Sequence, residues 1–224
     1  MNKEFSFSNY SDDFDNHIQK SIRGYGDLVK DVVDISSFCI DSYSNVIDIG
    51  CSTGSLLKKI VNKNKDTKVE VTYTGIEIEP SFEKYFVKEK PLNWIVGDVY
   101  EQDLTNCSFI YSLFTLQFLP LNRRYEIFEK IFNSLNSGGV FLFTEKVDMS
   151  SSRTNEILQN LGVEYKRNNF SDSEILDKEI NLRSLMRRVS LTDNINLCKK
   201  VGFKKVDTFW QNQRFVGYLA IKDF

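Results

Sequence analysis

The stretch Asn45-Val-Ile-Asp-Ile-Gly-Cys-Ser-Thr-Gly54 decides the fold of this chain. A short apolar run rich in β-branched residues contains an acid, Asp48, and is followed by two glycines four positions apart. An amphipathic segment, residues 55–60, comes next. This order predicts a strand, a tight glycine turn and a helix. Such a turn presents free backbone N–H groups at a helix N-terminus, where they can meet a ligand.

Downstream of this turn, segments of strong β-propensity alternate with segments of helical periodicity. We predict strands at residues 46–48, 69–77, 94–96, 108–113 and 140–145, and helices at 55–61, from Pro80 and at 122–135, with a turn at residues 136–139. The alternation indicates a doubly wound parallel sheet. Strands at 206–210 and 215–221 are too close for a helical crossover, so we expect an antiparallel pair. The expected fold is α/β, with a mostly parallel seven-stranded sheet.

The other segments are predicted to be helical. Residues 1–43 form an N-terminal helical arm, whose helices break at Gly24-Tyr25-Gly26, so that Tyr25 lies in a loop. Residues 148–190 are polar and charge-rich, and we expect a helical lid insertion over the mouth of the site. The last helix takes Thr192 or Asp193 as its N-cap and Gly202 as its C-cap. We predict a single domain over residues 1–224.

Three acids, Asp48, Glu77 and Asp98, end predicted strands. Ligands of doubly wound sheets lie beyond the carboxyl ends of the strands, so these acids and the glycine loop should share one rim. The loop reads D-x-G-x-x-x-G, which is neither a dinucleotide fingerprint nor a P-loop. A carboxylate such as Glu77 can accept hydrogen bonds from both hydroxyls of a ribose. Together these features predict a nucleoside site, whereas Glu77 alone could equally be a solvated acid.

The composition limits the chemistry largely by what it lacks. The net charge of −2 disfavours nucleic acid as the main partner, because phosphate binding normally needs a basic face. The four cysteines form no C-x-x-C pair and His17 is the sole histidine, which argues against a metal site and a Ser-His-Asp triad. The polar first residues do not predict a signal peptide, and no apolar run reaches the length of about 20 residues that a membrane span needs. We therefore expect a cytoplasmic protein.

Residues 46–145 resemble the class I S-adenosyl-L-methionine-dependent methyltransferases. The glycine loop and the acids that end the next two strands carry this resemblance. It implies that S-adenosylmethionine is the cofactor, with no metal. The residues that it implies as contacts are Gly50, Cys51 and Ser52 for the methionine part, Glu77 with Ile78 for the ribose, and Asp98 with Val99 for the adenine.

Segments across nearly the whole chain resemble the carboxy-S-adenosyl-L-methionine synthase family. They are residues 14–25, 48–52, F-T-L-Q-F-L at 114–119, T-E-K at 144–146, and R-S-L-M at 183–186 with L-T-D at 191–193. The resemblance implies conversion of S-adenosylmethionine and prephenate to carboxy-S-adenosylmethionine and phenylpyruvate. That product is the carboxymethyl donor for tRNA wobble uridine modification by a separate enzyme. A homodimer is implied as well, and we expect no direct nucleic-acid or membrane binding.

This closer resemblance implies catalytic roles for Arg183 and Tyr25, which are also cofactor contacts. Arg183 corresponds to the arginine that holds the carboxylate of the product, and Tyr25 to a tyrosine that contacts the ligand. A guanidinium suits the first role, because it forms two parallel hydrogen bonds with a carboxylate and stays charged. The implied chemistry does not require a protein general base, which fits a chain with one histidine.

Position 113 departs from the family pattern. Leu113 stands where the family has an asparagine at the end of the fourth strand. The polar contact to the ligand is therefore lost, or Ser112 or Tyr111 replaces it. The resemblance nevertheless implies that Leu113 is a cofactor contact.

The carboxylate-binding arginine is a second open point, because residues 170–183 are longer than in the family pattern. Arg183 is assigned from its spacing to residues 191–193, which leaves Arg187 and Arg188 as alternatives. A solvated basic helix face is the remaining interpretation of these arginines.

Three other functions stay open at this point. An ordinary methyltransferase acting on a small molecule or RNA would not need Arg183. A carboxymethyltransferase that consumes the carboxylated cofactor would need a basic surface for RNA, which the chain does not evidently carry. A non-catalytic nucleoside-binding protein would bind ligand without turnover. The sequence also leaves open whether prephenate is the carboxyl source and which molecule finally accepts the carboxymethyl group.

Overall fold

The computed structural model describes residues 11–183 and 185–223. Its strands are β1 (Asn45–Ile49), β2 (Thr72–Glu77), β3 (Leu92–Val96), β4 (Cys107–Leu113), β5 (Leu135–Lys146), β6 (Lys205–Asn212) and β7 (Phe215–Ile221). They form a seven-stranded sheet of order β3-β2-β1-β4-β5-β7-β6. The first five strands are mutually parallel, and β7 is antiparallel to β5 and β6. The predicted doubly wound sheet with an antiparallel C-terminal pair is confirmed.

The helices fall largely where periodicity predicts them. They are α1 (Phe14–Ser21), α2 (Tyr25–Cys39), α3 (Ser55–Asn64), α4 (Arg124–Ser134), α5 (Ser152–Lys166), α6 (Asp172–Arg183) and α7 (Leu191–Val201). Short 3-10 turns are Pro80–Tyr85, Val99–Glu101, Leu116–Phe118 and Leu121–Arg123. The predicted helix from Pro80 is thus a 3-10 segment, and α5 and α6 occupy the predicted lid. Within the described ranges, no helix has both the length and the apolar character that a membrane crossing needs.

The sheet separates two apolar cores because neighbouring side chains of a strand point to opposite faces. Ile47 of β1 belongs to the core that includes Phe128 of α4. Its neighbour Val46 belongs to the other core, with Leu57 of α3 and Val32 of α2. Burial on both faces explains the continuous apolar runs of the parallel strands. Each fully buried side chain of this kind stabilises the fold by about 1.5–3 kcal/mol.

The N-terminus of α7 differs from the prediction by two or three residues. Ser190 is the N-cap, rather than Thr192 or Asp193. Its hydroxyl accepts a hydrogen bond from the Asp193 N–H at 3.1 Å, and the Asp193 carboxylate accepts one from the Ser190 N–H at 3.1 Å. Asp193 is therefore the third residue of the helix and the partner of Ser190 in a capping box, which satisfies two N–H groups at once. The predicted C-cap at Gly202 is confirmed.

Two predicted loops are also part of regular elements. Tyr25 is the first residue of α2, not a loop residue, because the break is confined to Gly24 and the residues before it. Gly24 has a φ of +76°, so the turn is made at that glycine. Residues 136–139, predicted as a turn, form an irregularity within β5, where the register against β4 shifts.

Candidate active site

The glycine loop between β1 and α3 is held against the neighbouring strand. The N–H groups of Gly50 and Cys51 both donate to the Ile76 carbonyl, at 2.8 and 3.1 Å. Gly50 has a φ of +79°, and a Cβ there would lie 2.1 Å from the Thr115 Oγ1. Only glycine satisfies both conditions, so this position fixes the close approach of the loop to residues after β4.

Glu77, at the carboxyl end of β2, holds the glycine loop by hydrogen bonds. Its Oε2 accepts from the Ser52 N–H at 2.9 Å, and its Oε1 accepts from the Glu79 N–H at 2.9 Å. Burial raises the pKa of this carboxyl, while the two backbone hydrogen bonds act in the opposite direction. Each carboxylate oxygen keeps lone-pair capacity for a further donor. The carboxylate can therefore hold the loop and accept from a ligand together.

Asp48 is the second buried acid at this end of the sheet. The Tyr111 hydroxyl donates to its Oδ2 at 2.9 Å. Burial raises the pKa of Asp48 to about 8, although the hydrogen bond from Tyr111 opposes the shift. Because burial penalises the charged form, an adjacent cation from a ligand would favour the ionised carboxylate.

A cavity of about 930 Å³ opens beyond the carboxyl ends of β1, β2 and β4. The predicted site residues that line it are Tyr25, Gly50, Cys51, Ser52, Glu77, Ile78, Leu113 and Arg183. Asp48 lines it as well. Residues of the N-terminal arm, the glycine loop and α6 thus surround one chamber, and two of the three acids expected on the rim with the loop, Asp48 and Glu77, line it.

Asp98 and Val99, the two residues predicted near an adenine, do not line this cavity. The Asp98 carboxylate accepts from the Tyr100 N–H at 2.9 Å and caps the short 3-10 turn that follows β3. Val99 is buried in the core that includes Ile47. A strand-end acid that caps its own turn has the same sequence signature as one that faces a ligand.

Leu113 presents an apolar side chain to the cavity, and its neighbours do not supply the missing polar contact. The Ser112 hydroxyl donates to the Ile49 carbonyl at 2.9 Å, and the Tyr111 hydroxyl is engaged with Asp48. Both side chains are fully buried and neither lines the cavity. Thr115, just beyond β4, does line it and was missed, because nothing in its pattern distinguishes a ligand contact from a loop residue.

The three candidate arginines occupy different positions. Arg183, the last residue of α6, lines the cavity and forms no ion pair within the part of the chain that the structure describes. Arg188 lines it too, but its Nε donates to the Asp148 carboxylate at 3.0 Å. Arg187 does not line the cavity, and its backbone N–H donates to the Gln117 carbonyl. Among the described residues that line the cavity, Arg183 is therefore the arginine whose guanidinium has no ion-pair partner.

Sequence reasoning also missed a set of cations at the lid end of the cavity. They are Lys146, Lys166, Lys178 and Arg214. They come from β5, α5, α6 and the turn before β7, which are far apart in the chain. The T-E-K segment at 144–146 contained the one usable signal, since it places Lys146 at the carboxyl end of β5.

A buried ion pair joins three of the family-like segments in space. Arg124 donates to both oxygens of the Glu145 carboxylate, each at 2.9 Å, and to the Asn194 Oδ1 at 2.9 Å. It also donates to the Leu116 carbonyl at 2.9 Å. The pair thereby joins the F-T-L-Q-F-L run, the end of β5 and the start of α7.

Within the described ranges, no group of three His, Cys, Asp or Glu residues could hold a metal ion.

The strand order and the glycine loop define the class of this protein as a class I methyltransferase fold. A family model described as "Methyltransferase domain" matches residues 47–143. Human N-acetylserotonin methyltransferase, solved with S-adenosylmethionine, superimposes with a TM-score of 0.57 at 14% identity. The match covers 88% of this chain and 55% of that chain, and at this identity it shows the fold alone.

Full-length relatives narrow the class to one family. Carboxy-S-adenosyl-L-methionine synthase of Staphylococcus epidermidis is 30% identical over 222 residues, which cover 97% of this chain and 96% of that protein. The protein of the same name from Pseudoalteromonas translucida is 30% identical over 227 residues, covering 98% and 94%. The chain belongs to the carboxy-S-adenosyl-L-methionine synthase family, within the S-adenosylmethionine-dependent transferases, and the resemblance stated from its motifs is confirmed.

Proposed function

We propose that this protein converts S-adenosylmethionine and prephenate to carboxy-S-adenosylmethionine and phenylpyruvate. One observation carries the proposal: Arg183 lines the same cavity as the glycine loop and Glu77. A cofactor on the loop would share its chamber with a guanidinium suited to a new carboxylate. A site for plain methyl transfer has no use for that cation. The product would supply the carboxymethyl group for tRNA wobble uridine modification by a separate enzyme.

The loop end of the cavity fits S-adenosylmethionine by the chemistry of its residues. The Glu77 carboxylate would accept from the ribose hydroxyls, and Gly50 to Ser52 would lie along the methionine part. Asp48 would meet the ammonium group, because its burial disfavours a charge that has no cation beside it. When bound, the cofactor supplies a methyl carbon activated by the neighbouring sulfonium.

Arg183 and Tyr25 would act on the carboxylated end of the ligand. Arg183 would hold the new carboxylate with two parallel hydrogen bonds. Burial raises the pKa of Tyr25 far above its usual range, so its hydroxyl stays protonated and can donate to a ligand. Residues of α1, α5 and α6 form the wall opposite the glycine loop, which limits the access of water to the reacting groups.

The test is turnover with identified products. Purified protein incubated with S-adenosylmethionine and prephenate should yield phenylpyruvate and a cofactor heavier by one carboxyl group, both detected by mass spectrometry. Carboxy-S-adenosylmethionine should also be recovered from protein as purified from cells. Recovery of only the unmodified cofactor or its demethylated form, with no phenylpyruvate produced, would instead favour an ordinary methyltransferase.

Replacing Arg183 by alanine should remove most of the preference for the carboxylated cofactor. The loss of a charge-assisted pair weakens its binding by roughly 1.5–3 kcal/mol, which is about 10- to 150-fold in Kd. Binding of unmodified S-adenosylmethionine should change little. Calorimetric titration of both ligands measures the two effects. The matched control is Arg187→Ala, since Arg187 lies outside the cavity wall, and an equal loss there would show that the wrong arginine was chosen.

We further propose that the protein is a homodimer that buries an apolar face of the lid. Ile157 and Leu161 of α5, and Leu176 and Ile180 of α6, are 43–56% exposed. Each pair is four residues apart and so shares one side of its helix. Light scattering on the size-exclusion peak should give the dimer mass for the parent and a monomer mass for Leu176→Glu. The exposed Phe38 on α2 offers the comparison, and Phe38→Glu should stay dimeric.

A further inference from the structure

The cavity carries opposite charges at its two ends. The lid end, next to α5 and α6, is basic, and the loop end, next to the glycine loop, is acidic. The basic groups of the lid end include Lys146, Lys166, Lys178, Arg188 and Arg214, and the acids paired with them are Asp148 and Glu179. The basic groups therefore outnumber the acids at this end. At the opposite end of the cavity the lining acids are Asp15, Asp48, Glu77 and Glu79. A cationic cofactor therefore suits one end and an anionic substrate the other.

Arg214 and Lys166 are fixed in place by other groups of the protein. The Arg214 guanidinium pairs with Asp148 and donates to the Val147 carbonyl at 3.1 Å and to the Gln159 Oε1 at 2.6 Å. The Lys166 ammonium lies 3.6 Å from the Glu179 carboxylate, which is longer than a close ion pair. These contacts hold two cations beside the cavity without fully neutralising them.

Lys146 is the group that these contacts leave unmatched. Within residues 11–183 and 185–223, its ammonium makes no hydrogen bond or ion pair and lies 5.8 Å from the centre of the Phe215 ring. Its backbone N–H donates to the Gln117 Oε1 at 2.8 Å, so the F-T-L-Q-F-L run fixes the main chain at this position. An ammonium group at a cavity wall that has no counter-ion among the described residues is a suitable partner for a ligand anion.

A small recess adjoins the cavity at this point. Its volume is about 20 Å³, and Lys146, Lys166 and Arg214 line both it and the main chamber. A space of this size takes one small polar group rather than a ring. The recess can take a single carboxylate beside the Arg214 guanidinium and the Lys146 and Lys166 ammonium groups, which outnumber the one acid that also lines it, Glu179.

We propose that Lys146, with Lys166 and Arg214, forms a second anion subsite that binds the 2-oxo-carboxylate of the carboxyl donor. This inference rests on the proposed function and names its substrate class, a dicarboxylate. The donor loses one carboxyl group as carbon dioxide and one hydroxyl group, which leaves as water with a proton from the sulfonium methyl group. The carbon dioxide becomes the new carboxylate on that methyl carbon, where Arg183 holds it. The other carboxyl group stays on the side chain of the donor, is held at Lys146 during the reaction, and leaves with the 2-oxo acid product. A donor with one carboxylate would fill only half of the site.

The charge of Lys146 should respond to the ligand. Burial and the nearby positive charges of Lys166, Arg214 and Arg188 together lower its pKa to about 7, whereas Glu179 acts in the opposite direction. Phe215 is its apolar neighbour on β7. An anion in the subsite favours the ammonium form, so above pH 7 the ligand binds together with a proton. Affinity for the anion should therefore fall from pH 7 towards pH 9, with a slope that approaches about tenfold per pH unit above the pKa.

The experiment measures phenylpyruvate binding to the full-length protein, with S-adenosylmethionine added, by calorimetric titration at pH 7, 8 and 9. The parent should lose affinity as the pH rises. Lys146→Met should bind at least tenfold more weakly at pH 7, with little further change at pH 9. Lys146→Arg should bind well across the range, because arginine stays charged. Lys204→Met, at an exposed side chain on the far edge of the sheet, should behave as the parent.

The kinetic counterpart uses prephenate as the variable substrate. Lys146→Met should raise KM for prephenate at least tenfold while the Kd for S-adenosylmethionine stays within twofold. If phenylpyruvate binding by the parent does not depend on pH and Lys146→Met leaves KM for prephenate unchanged, the subsite is overturned. If the parent makes no carboxylated cofactor but the pH-dependent binding persists, the subsite stands and the proposed function fails. Lys146→Arg keeps the positive charge. Good binding by this variant would show that Lys146→Met binds weakly because it has lost the charge and not because it fails to fold.

Discussion

Replacement of Arg124 by alanine is expected to destabilise the fold by about 3–5 kcal/mol. The side chains of Arg124 and Glu145 are 4% and 2% exposed, and they share two hydrogen bonds of 2.9 Å. Removing the guanidinium deprives the Glu145 carboxylate of its cation in the core, while the Asn194 amide still donates to it at 2.8 Å. An uncompensated buried charge costs more than the pair contributes, so the loss is large.

The neighbouring residue provides a matched comparison. Arg123 also forms two hydrogen bonds of 2.9 Å with one carboxylate, that of Glu126, but both side chains are about half exposed. Arg123→Ala should therefore change the free energy of unfolding by less than about 1 kcal/mol. Urea unfolding followed by circular dichroism measures both values. Similar effects for the two variants would mean that the buried pair does not anchor the core.

A double substitution separates charge from packing. Replacing Arg124 by methionine and Glu145 by leucine removes both charges, so the stability should largely return. Activity should not return with it, because the pair joins the F-T-L-Q-F-L run to the end of β5, where Lys146 forms part of the proposed anion subsite. Restored stability with parent-like turnover would count against that positioning role.

The sheet was predictable because its signals are local. Alternating side chains such as Val46 and Ile47 face the two cores, and strand ends are marked by acids and glycines in the sequence itself. Glu77 was placed correctly at the carboxyl end of β2, since parallel strands bring these ends to one edge. Arguments from periodicity and topology suffice where the structure is regular.

The lid could not be predicted in the same way. Lys146, Lys166 and Arg214 come from three elements, and no periodicity specifies how α5 folds back over the sheet. Asp98 shows the related limit at a strand end, because an acid that caps its own turn looks the same in sequence as one that faces a ligand. Position in the chain indicates a shared edge, whereas the direction of a side chain depends on nearby donors.

Glu77→Ala is expected to weaken binding of S-adenosylmethionine more than any other single change in the loop end of the cavity. Two ribose hydroxyls would lose a charged acceptor, at about 1.5–3 kcal/mol each, so Kd should rise at least about 100-fold. The Ser52 and Glu79 N–H groups would also lose their acceptor, which loosens the glycine loop. Calorimetric titration measures the affinity, and thermal unfolding of the ligand-free protein measures the loosening.

Two further variants sharpen the interpretation. Glu77→Gln keeps one acceptor oxygen but turns an amide NH₂ towards a backbone N–H, so its affinity should lie between those of the parent and the alanine variant. Asp98→Ala removes an acid from the next strand end, where the carboxylate caps its own turn outside the cavity. It should change Kd by less than about threefold, which is about 0.6 kcal/mol. If Asp98→Ala weakens binding as much as Glu77→Ala, the ligand extends beyond the cavity to the end of β3, and the adenine position implied by the family resemblance is correct.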